Sequence, residues 1–144
     1  MARGPNEVFV DTSGWYAVTR VDDPGHRLAA AYYSNLSNGR TRFLTSDYIL
    51  DETLTRLRYD MGHTVALAFW QHIQQAVLLG LLRVIRIDER IWSDALAIFR
   101  TFEDQDFSFT DCTSFALARD QNIGEIFTFD HHFLTMGFII QPVP

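Results

Sequence analysis

Lysine is missing from this chain, although it carries 12 basic residues against 18 acidic ones and a net charge of −6. Every basic side chain is therefore arginine, which excludes Schiff-base catalysis and a Walker-type phosphate loop. The same absence removes two small α/β folds with acidic magnesium pockets. A phosphoacceptor receiver domain needs a lysine after a late strand, and a haloacid-dehalogenase-type phosphatase needs one too, with a second aspartate where this chain has Ser13. Cysteine is almost as scarce: Cys112 stands alone, so there can be no internal disulfide and no thiolate zinc site. That fits a reducing compartment, and a cytoplasmic location is expected. Long apolar runs are lacking as well. Ala76–Leu82 is far too short to span a bilayer, and Met1–Glu7 has no signal-peptide core. The acidic balance argues against broad electrostatic adhesion to nucleic acid, so a polyanion must be met locally by arginines and bound cations.

What remains is ample for a core. The 144 residues are 47% hydrophobic and 14% aromatic, and a chain of this length buries roughly 68 to 70% of its unfolded surface. One domain over residues 1–144 is expected. Short apolar runs at 8–10, 43–45, 83–87, 126–129 and 138–140 read as strands. Between them, apolar residues recur at helical spacing: Leu28, Ala31, Tyr32 and Leu36; Ile49, Leu50, Leu54 and Leu57; Val65, Phe69, Ile73 and Val77. A further helix should bury Ile91, Ala95, Ile98, Phe99 and Phe102, and Thr110 should cap the next, which ends near Asn122-Ile123-Gly124. Strands alternating with helices predict a three-layer α/β domain with a mainly parallel sheet of about five strands.

Four carboxylates stand out against this pattern. Asp11 closes Val8-Phe9-Val10, Asp130 closes Ile126-Phe127-Thr128-Phe129, Asp111 opens a helix after Phe107-Ser108-Phe109, and Glu52 lies within two helical turns of Phe43-Leu44-Thr45. Each has an ordinary explanation as a cap, a turn residue or a solvated position. Parallel strands, however, end at one edge of the sheet, where open α/β folds place their sites. Two like charges about 4 Å apart repel by about 4 kcal/mol at an effective dielectric near 20, so acids gathered there require a cation. Hard oxygen donors without cysteine suit Mg²⁺ or Mn²⁺, one or two ions, and the residual coordination capacity suits phosphodiester cleavage.

The ordered set Val10-Asp11-Thr12-Ser13, Leu50-Asp51-Glu52-Thr53-Leu54, Ser108-Phe109-Thr110-Asp111-Cys112 and Phe127-Thr128-Phe129-Asp130-His131-His132-Phe133 resembles the PIN-domain ribonucleases, and most closely the VapC toxins of toxin–antitoxin pairs. The resemblance covers nearly the whole chain. It implies a PIN fold, a metal-dependent endoribonuclease that cuts structured RNA such as tRNA or rRNA, and Asp11, Glu52, Asp111 and Asp130 as catalytic, metal-holding acids. It also implies water as the nucleophile, hence 3′-hydroxyl and 5′-phosphate ends, a homodimer, and a cognate antitoxin whose tail occupies the groove.

Thr12, Ser13, Thr110 and Thr128 are placed to hydrogen-bond these carboxylates, or simply to cap and extend. Arg40, Arg42, Arg56 and Arg58 are candidates for RNA backbone contacts, because guanidinium grips phosphate at two points; pairing with Asp47, Asp51 or Asp60 is their ordinary alternative. His131 and His132 could touch phosphate or merely start a helical turn. Trp15, Tyr16, Tyr32, Tyr33, Phe69 and Trp70 read mainly as core, with any surplus left for a partner surface. A non-catalytic RNA-binding or assembly module and a DNA-directed nuclease stay open as alternatives.

Overall fold

The computed structural model describes residues 6–144, so most of the Met1–Glu7 stretch lies outside the described residues. Strands β1 (Glu7–Val10), β2 (Arg42–Ser46), β3 (Leu82–Ile85), β4 (Glu125–Phe127) and β5 (Ile139–Gln141) form one sheet in the order β3-β2-β1-β4-β5. Every neighbouring pair is parallel, with Val8 beside Phe43 and Phe9 beside Ile126. The connections supply α1 (Thr12–Thr19), α2 (His26–Ser37), α3 (Asp47–Met61), α4 (His63–Leu78), α5 (Glu89–Thr101), α6 (Phe109–Asp120) and α7 (His132–Thr135). Successive strand side chains point to opposite faces, yet Val8, Phe9 and Val10 are all buried. Helices therefore cover both faces of the central strand, as a parallel sheet demands.

The local signals explain most boundaries. Ser46 accepts from the Ile49 N–H at 3.1 Å to start α3, and Asp88 accepts from Ile91 at 2.9 Å to start α5. Gly62, with φ of +96°, ends α3 and lets α4 begin at once. One expected cap is corrected: α6 starts on Ser108, whose hydroxyl accepts from the Asp111 N–H at 3.0 Å while Asp111 accepts from the Ser108 N–H at 3.0 Å. Thr110 lies inside the first turn. A serine followed three residues later by an acid completes a reciprocal pair that threonine at 110 cannot.

The core is aromatic at its centre, with Trp15, Phe9, Phe43, Phe115, Phe127 and Phe133 fully buried, each contributing about 1.5 to 3 kcal/mol by burial. Trp15 also ties α1 to the sheet: its indole N–H donates to Thr45 Oγ1 at 3.2 Å, and Thr45 donates to the Val10 carbonyl at 3.0 Å. Three expected core residues lie outside it, among them Val77, which is 43% exposed. Phe99 is 47% exposed, beside Trp92 at 44%, and Trp70 is 37% exposed. α5 packs mainly against the neighbouring α6, with Tyr48 of α3 edge-on to Trp92, and its buried stripe narrows to Ile91 and Ala95. Among the described residues, no helix is long and apolar enough to cross a membrane.

Candidate metal-dependent active site

Asp11 follows β1 directly, and its backbone N–H still bonds the Phe127 carbonyl at 3.0 Å. It occupies the N-cap position of α1 but its side chain caps nothing. The carboxylate turns instead toward the end of β4, where Thr128 Oγ1–H donates to Oδ2 at 2.8 Å. Thr128 is a hub: the same hydroxyl oxygen accepts from the Asp130 N–H at 3.0 Å and lies 3.0 Å from Ser13 Oγ. Because a hydroxyl has one hydrogen and Thr128 spends it on Asp11, Ser13 donates to Thr128 or to Asp11 Oδ2, 3.3 Å away. Ser13 in turn accepts from the Phe129 N–H at 2.9 Å.

Asp111 and Asp130 meet across His132. The His132 backbone N–H donates to Asp130 Oδ1 at 2.9 Å, and its Nδ1 lies 3.2 Å from Asp111 Oδ2 and 3.4 Å from Asp130 Oδ1. The ring is braced edge-on by Phe107, 5.1 Å between centroids. These three residues offer ligand atoms within 4.8 Å of one another. The two acids also serve the ordinary purposes considered for them, Asp111 completing a cap and Asp130 a turn.

Electrostatics join Glu52 and Asp11 to this group. Burial pushes the Asp11 carboxyl up to about 7, against the Thr128 hydrogen bond, and the charges of Asp111 and Asp130 push the same way. Burial also raises Glu52, with Asp111 and Asp130 adding to it. Asp111 is raised chiefly by burial and secondarily by Asp130, while the Ser108 N–H and His132 pull it down. The Thr12 hydroxyl favours ionised Glu52 yet completes no hydrogen bond of sound geometry, although Thr12 is only 3% exposed. A buried polar atom without a protein partner, beside acids that repel one another, fits a site built for a cation. The donors are hard oxygens plus one imidazole nitrogen, a set that can hold a divalent metal ion.

The four sequence-nominated acids thus come together, with Thr12, Ser13 and Thr128 against them. Thr110 does not: among the described residues its hydroxyl bonds none of the acids. Of the arginines, only Arg56 is close, its charge lowering Glu52 and its guanidinium lying 4.4 Å over the Tyr16 ring. Arg58 turns away to His63. Arg42 begins β2 and Arg40 precedes it, which puts both at the opposite edge of the sheet, about 13 Å of strand from the acids. His132 is the participant that sequence reading undervalued; its signal was the separation of two residues from Asp130, which lets one side chain receive both a backbone and a ring contact.

Thr128→Val keeps the shape and removes the hub. The Asp130 N–H and Asp11 Oδ2 lose their partner, so a loss of about 1 to 3 kcal/mol in stability and of about 10- to 100-fold in activity is expected. Thr128→Ser should retain both. Thermal melts and cleavage rates for the two variants check this, and equal behaviour of Val and Ser would contradict the hub.

A family model for the PIN domain matches residues 8–139. The 23S rRNA-specific endonuclease VapC20 of Mycobacterium tuberculosis (strain ATCC 25618 / H37Rv) is 30% identical over 139 residues, 92% of this chain and 95% of that protein. A VapC ribonuclease of Archaeoglobus fulgidus is 26% identical over 127 residues, 87% of this chain and 78% of that one. Among solved structures, that of M. tuberculosis VapC20, described as a Sarcin-Ricin loop cleaving toxin, superposes with a TM-score of 0.80 at 29% identity, covering 92% of this chain and 96% of its own. VapBC2 from Rickettsia felis, solved with a DNA fragment from its promoter, shares the fold with a TM-score of 0.68 at 10% identity over 94% and 97% of the chains.

Proposed function

Since this chain belongs to the PIN domain family and groups there with VapC nucleases, we propose that it is a metal-dependent endoribonuclease, the toxin of a type II toxin–antitoxin pair, acting on structured RNA as a single domain. The observation that carries the reading is the gathering of Asp11, Glu52, Asp111 and Asp130 at one sheet edge, three of them held above the usual carboxylate range. Asp11, Glu52, Asp111 and Asp130 would hold Mg²⁺ or Mn²⁺, with His132 as a nitrogen donor. A divalent cation bound there makes water more acidic and neutralises charge on phosphate oxygens.

The protein's own groups supply orientation. Thr128 and Ser13 fix the Asp11 carboxylate, the His132 backbone N–H holds Asp130, and Arg56 offers its guanidinium to a neighbouring phosphate. Water as nucleophile leaves the ribose 2′-hydroxyl unused, so the ends are 3′-hydroxyl and 5′-phosphate. The exposed apolar side chains Trp70, Leu78, Trp92 and Phe99 favour a homodimer and a cognate antitoxin as partners, since patches of this kind mark interfaces.

The test is cleavage of ribosomal or transfer RNA with end analysis. Activity should vanish with chelator and return with Mn²⁺, the products should carry 3′-hydroxyls, and His132→Ala should bind Mn²⁺ about tenfold more weakly by calorimetry. A 2′,3′-cyclic phosphate, or cleavage that survives chelation, would overturn the reading.

A further inference from the structure

Beside the acids lies a cavity of about 320 Å³ that Ser13 shares with them, the rest of its lining including Asp23, Pro24, Gly25, Arg56 and Phe129. Ser13 contacts Asp11 and Thr128 and accepts from the Phe129 N–H at 2.9 Å, so the cavity and the acidic pocket have a common wall. Resting on the nuclease reading above, we propose that this cavity receives one unpaired nucleobase of the RNA, next to the phosphate under attack, and selects bases that carry an exocyclic amine.

The volume admits a single base. Phe129 is half-buried, and a Cβ added to Gly25 would stand 3.2 Å from Phe129 Cζ. The glycine therefore lets the Asp23-Pro24-Gly25 turn lie directly against the tip of the aromatic ring, which lines the cavity, and unpaired bases stack on aromatic side chains. Arg56 supplies the cation for the backbone of the same nucleotide. Its guanidinium lies 4.4 Å over Tyr16, and none of the ion pairs among the described residues involves it. Tyr16 is itself immobilised, its hydroxyl donating to Asp60 and accepting from Arg20 Nη1, both at 2.6 Å. Arg20 is paired with Asp22 at 2.7 Å, so Arg56, whose charge reaches Glu52 without a direct ion pair, is the pre-set cation of this cluster, with less side-chain entropy left to lose on binding.

Selectivity comes from Asp23. Its Oδ2 accepts from the Gly25 N–H at 2.8 Å, while Oδ1 has no protein partner among the described residues. An ionised carboxylate only accepts. Adenine, cytosine and guanine present an exocyclic amine to it; uracil offers only its ring N3–H, flanked on both sides by carbonyl oxygens that the carboxylate repels.

The experiment uses the full chain carrying Asp11→Asn, which keeps RNA uncut in the presence of Mg²⁺, with fluorescein-labelled decamers of adenylate, cytidylate and uridylate read by anisotropy. Adenylate and cytidylate should bind at least about fivefold more tightly than uridylate. Asp23→Asn, which retains the Gly25 contact but adds an amide donor, should bring the three within about twofold of one another. Phe129→Leu keeps apolar packing without the aromatic ring and should weaken all three by about fivefold or more while thermal melts show the variant folded at the assay temperature. Arg56→Gln should weaken them alike and flatten the salt dependence by about one charge. Unchanged affinity in Phe129→Leu, or unaltered discrimination against uridylate in Asp23→Asn, would overturn the base site while leaving the nuclease reading standing. No binding of any RNA would overturn both.

Discussion

Asp11→Asn should abolish RNA cleavage, by roughly a thousandfold or about 4 kcal/mol of barrier, and at the same time make the metal-free protein more stable above pH 7. The two effects have one cause. Asp11 is 5% exposed and its carboxyl is lifted from 3.8 to about 7. As pH rises through that window the unfolded chain gives up the proton first, so unfolding is favoured increasingly with pH. At about 1.4 kcal/mol per unit, a fully ionised Asp11 costs the metal-free fold about 4 kcal/mol. Glu52 and Asp111 are shifted in the same direction, so they add to the slope with the same sign. Asparagine carries no charge and accepts the Thr128 hydrogen bond through its carbonyl. In chelator, the parent chain should therefore melt higher at pH 5 than at pH 8, and Asp11→Asn should show a flatter profile that crosses above it. Saturating Mn²⁺ should restore the parent chain at pH 8, because a ligand that binds the ionised form stabilises by mass action. A parent chain more stable at pH 8 than at pH 5 without metal would contradict this account of the site.

Gly14→Ala should be destabilising, by up to about 3 kcal/mol, and depress activity further than the unfolded fraction explains. Helix propensity alone predicts the opposite, a gain of up to about 1 kcal/mol for alanine. The deciding contact is steric: a Cβ on Gly14 would lie 2.6 Å from the Phe127 carbonyl oxygen and 3.0 Å from its Cδ1. Backbone cannot rotate aside as a side chain can, so α1 and β4 must separate, and overpacking of this kind costs about 1 to 3 kcal/mol. Asp11 precedes α1 while Thr128 and Asp130 follow β4, so that separation opens the acidic pocket at its narrowest joint. Gly124→Ala is the control, since nothing lies within 4 Å of a Cβ there, and it should be neutral within about 0.5 kcal/mol. Denaturant melts and cleavage rates on the pair check the claim; equal melts would show that the close approach carries no energy.

The acids were readable because their signal is local. A short apolar run ending in Asp11 or Asp130 states both a strand and its carboxyl end, and parallel pairing does the rest. Strand direction could also have warned against Arg40 and Arg42: nearness to Glu52 along the chain hides the fact that β2 begins at Arg42 and runs toward Glu52, so its first residue is its farthest. Phe99 misled for a different reason. Periodicity reports which face of a helix is apolar, but burial depends on what lies opposite, and at α5 the apolar face outruns its cover.

By itself the amino-acid sequence determined the alternation of strands and helices, the exclusion of lysine and thiolate chemistry, and the need for a cation wherever its carboxylates gather. All of these follow from residue type and spacing within a few turns of chain. Tertiary structure alone decided the Thr128 hub, the bridge of His132 between Asp111 and Asp130, the placement of Arg56 nearer the acids than Arg40, Arg42 or Arg58, and the cavity behind Ser13. Those contacts join residues as far apart as Asp11 and Thr128, and they exist because the order β3-β2-β1-β4-β5 sets β1 against β4. That adjacency is fixed by the packing of the whole core, and no short stretch of sequence carries it.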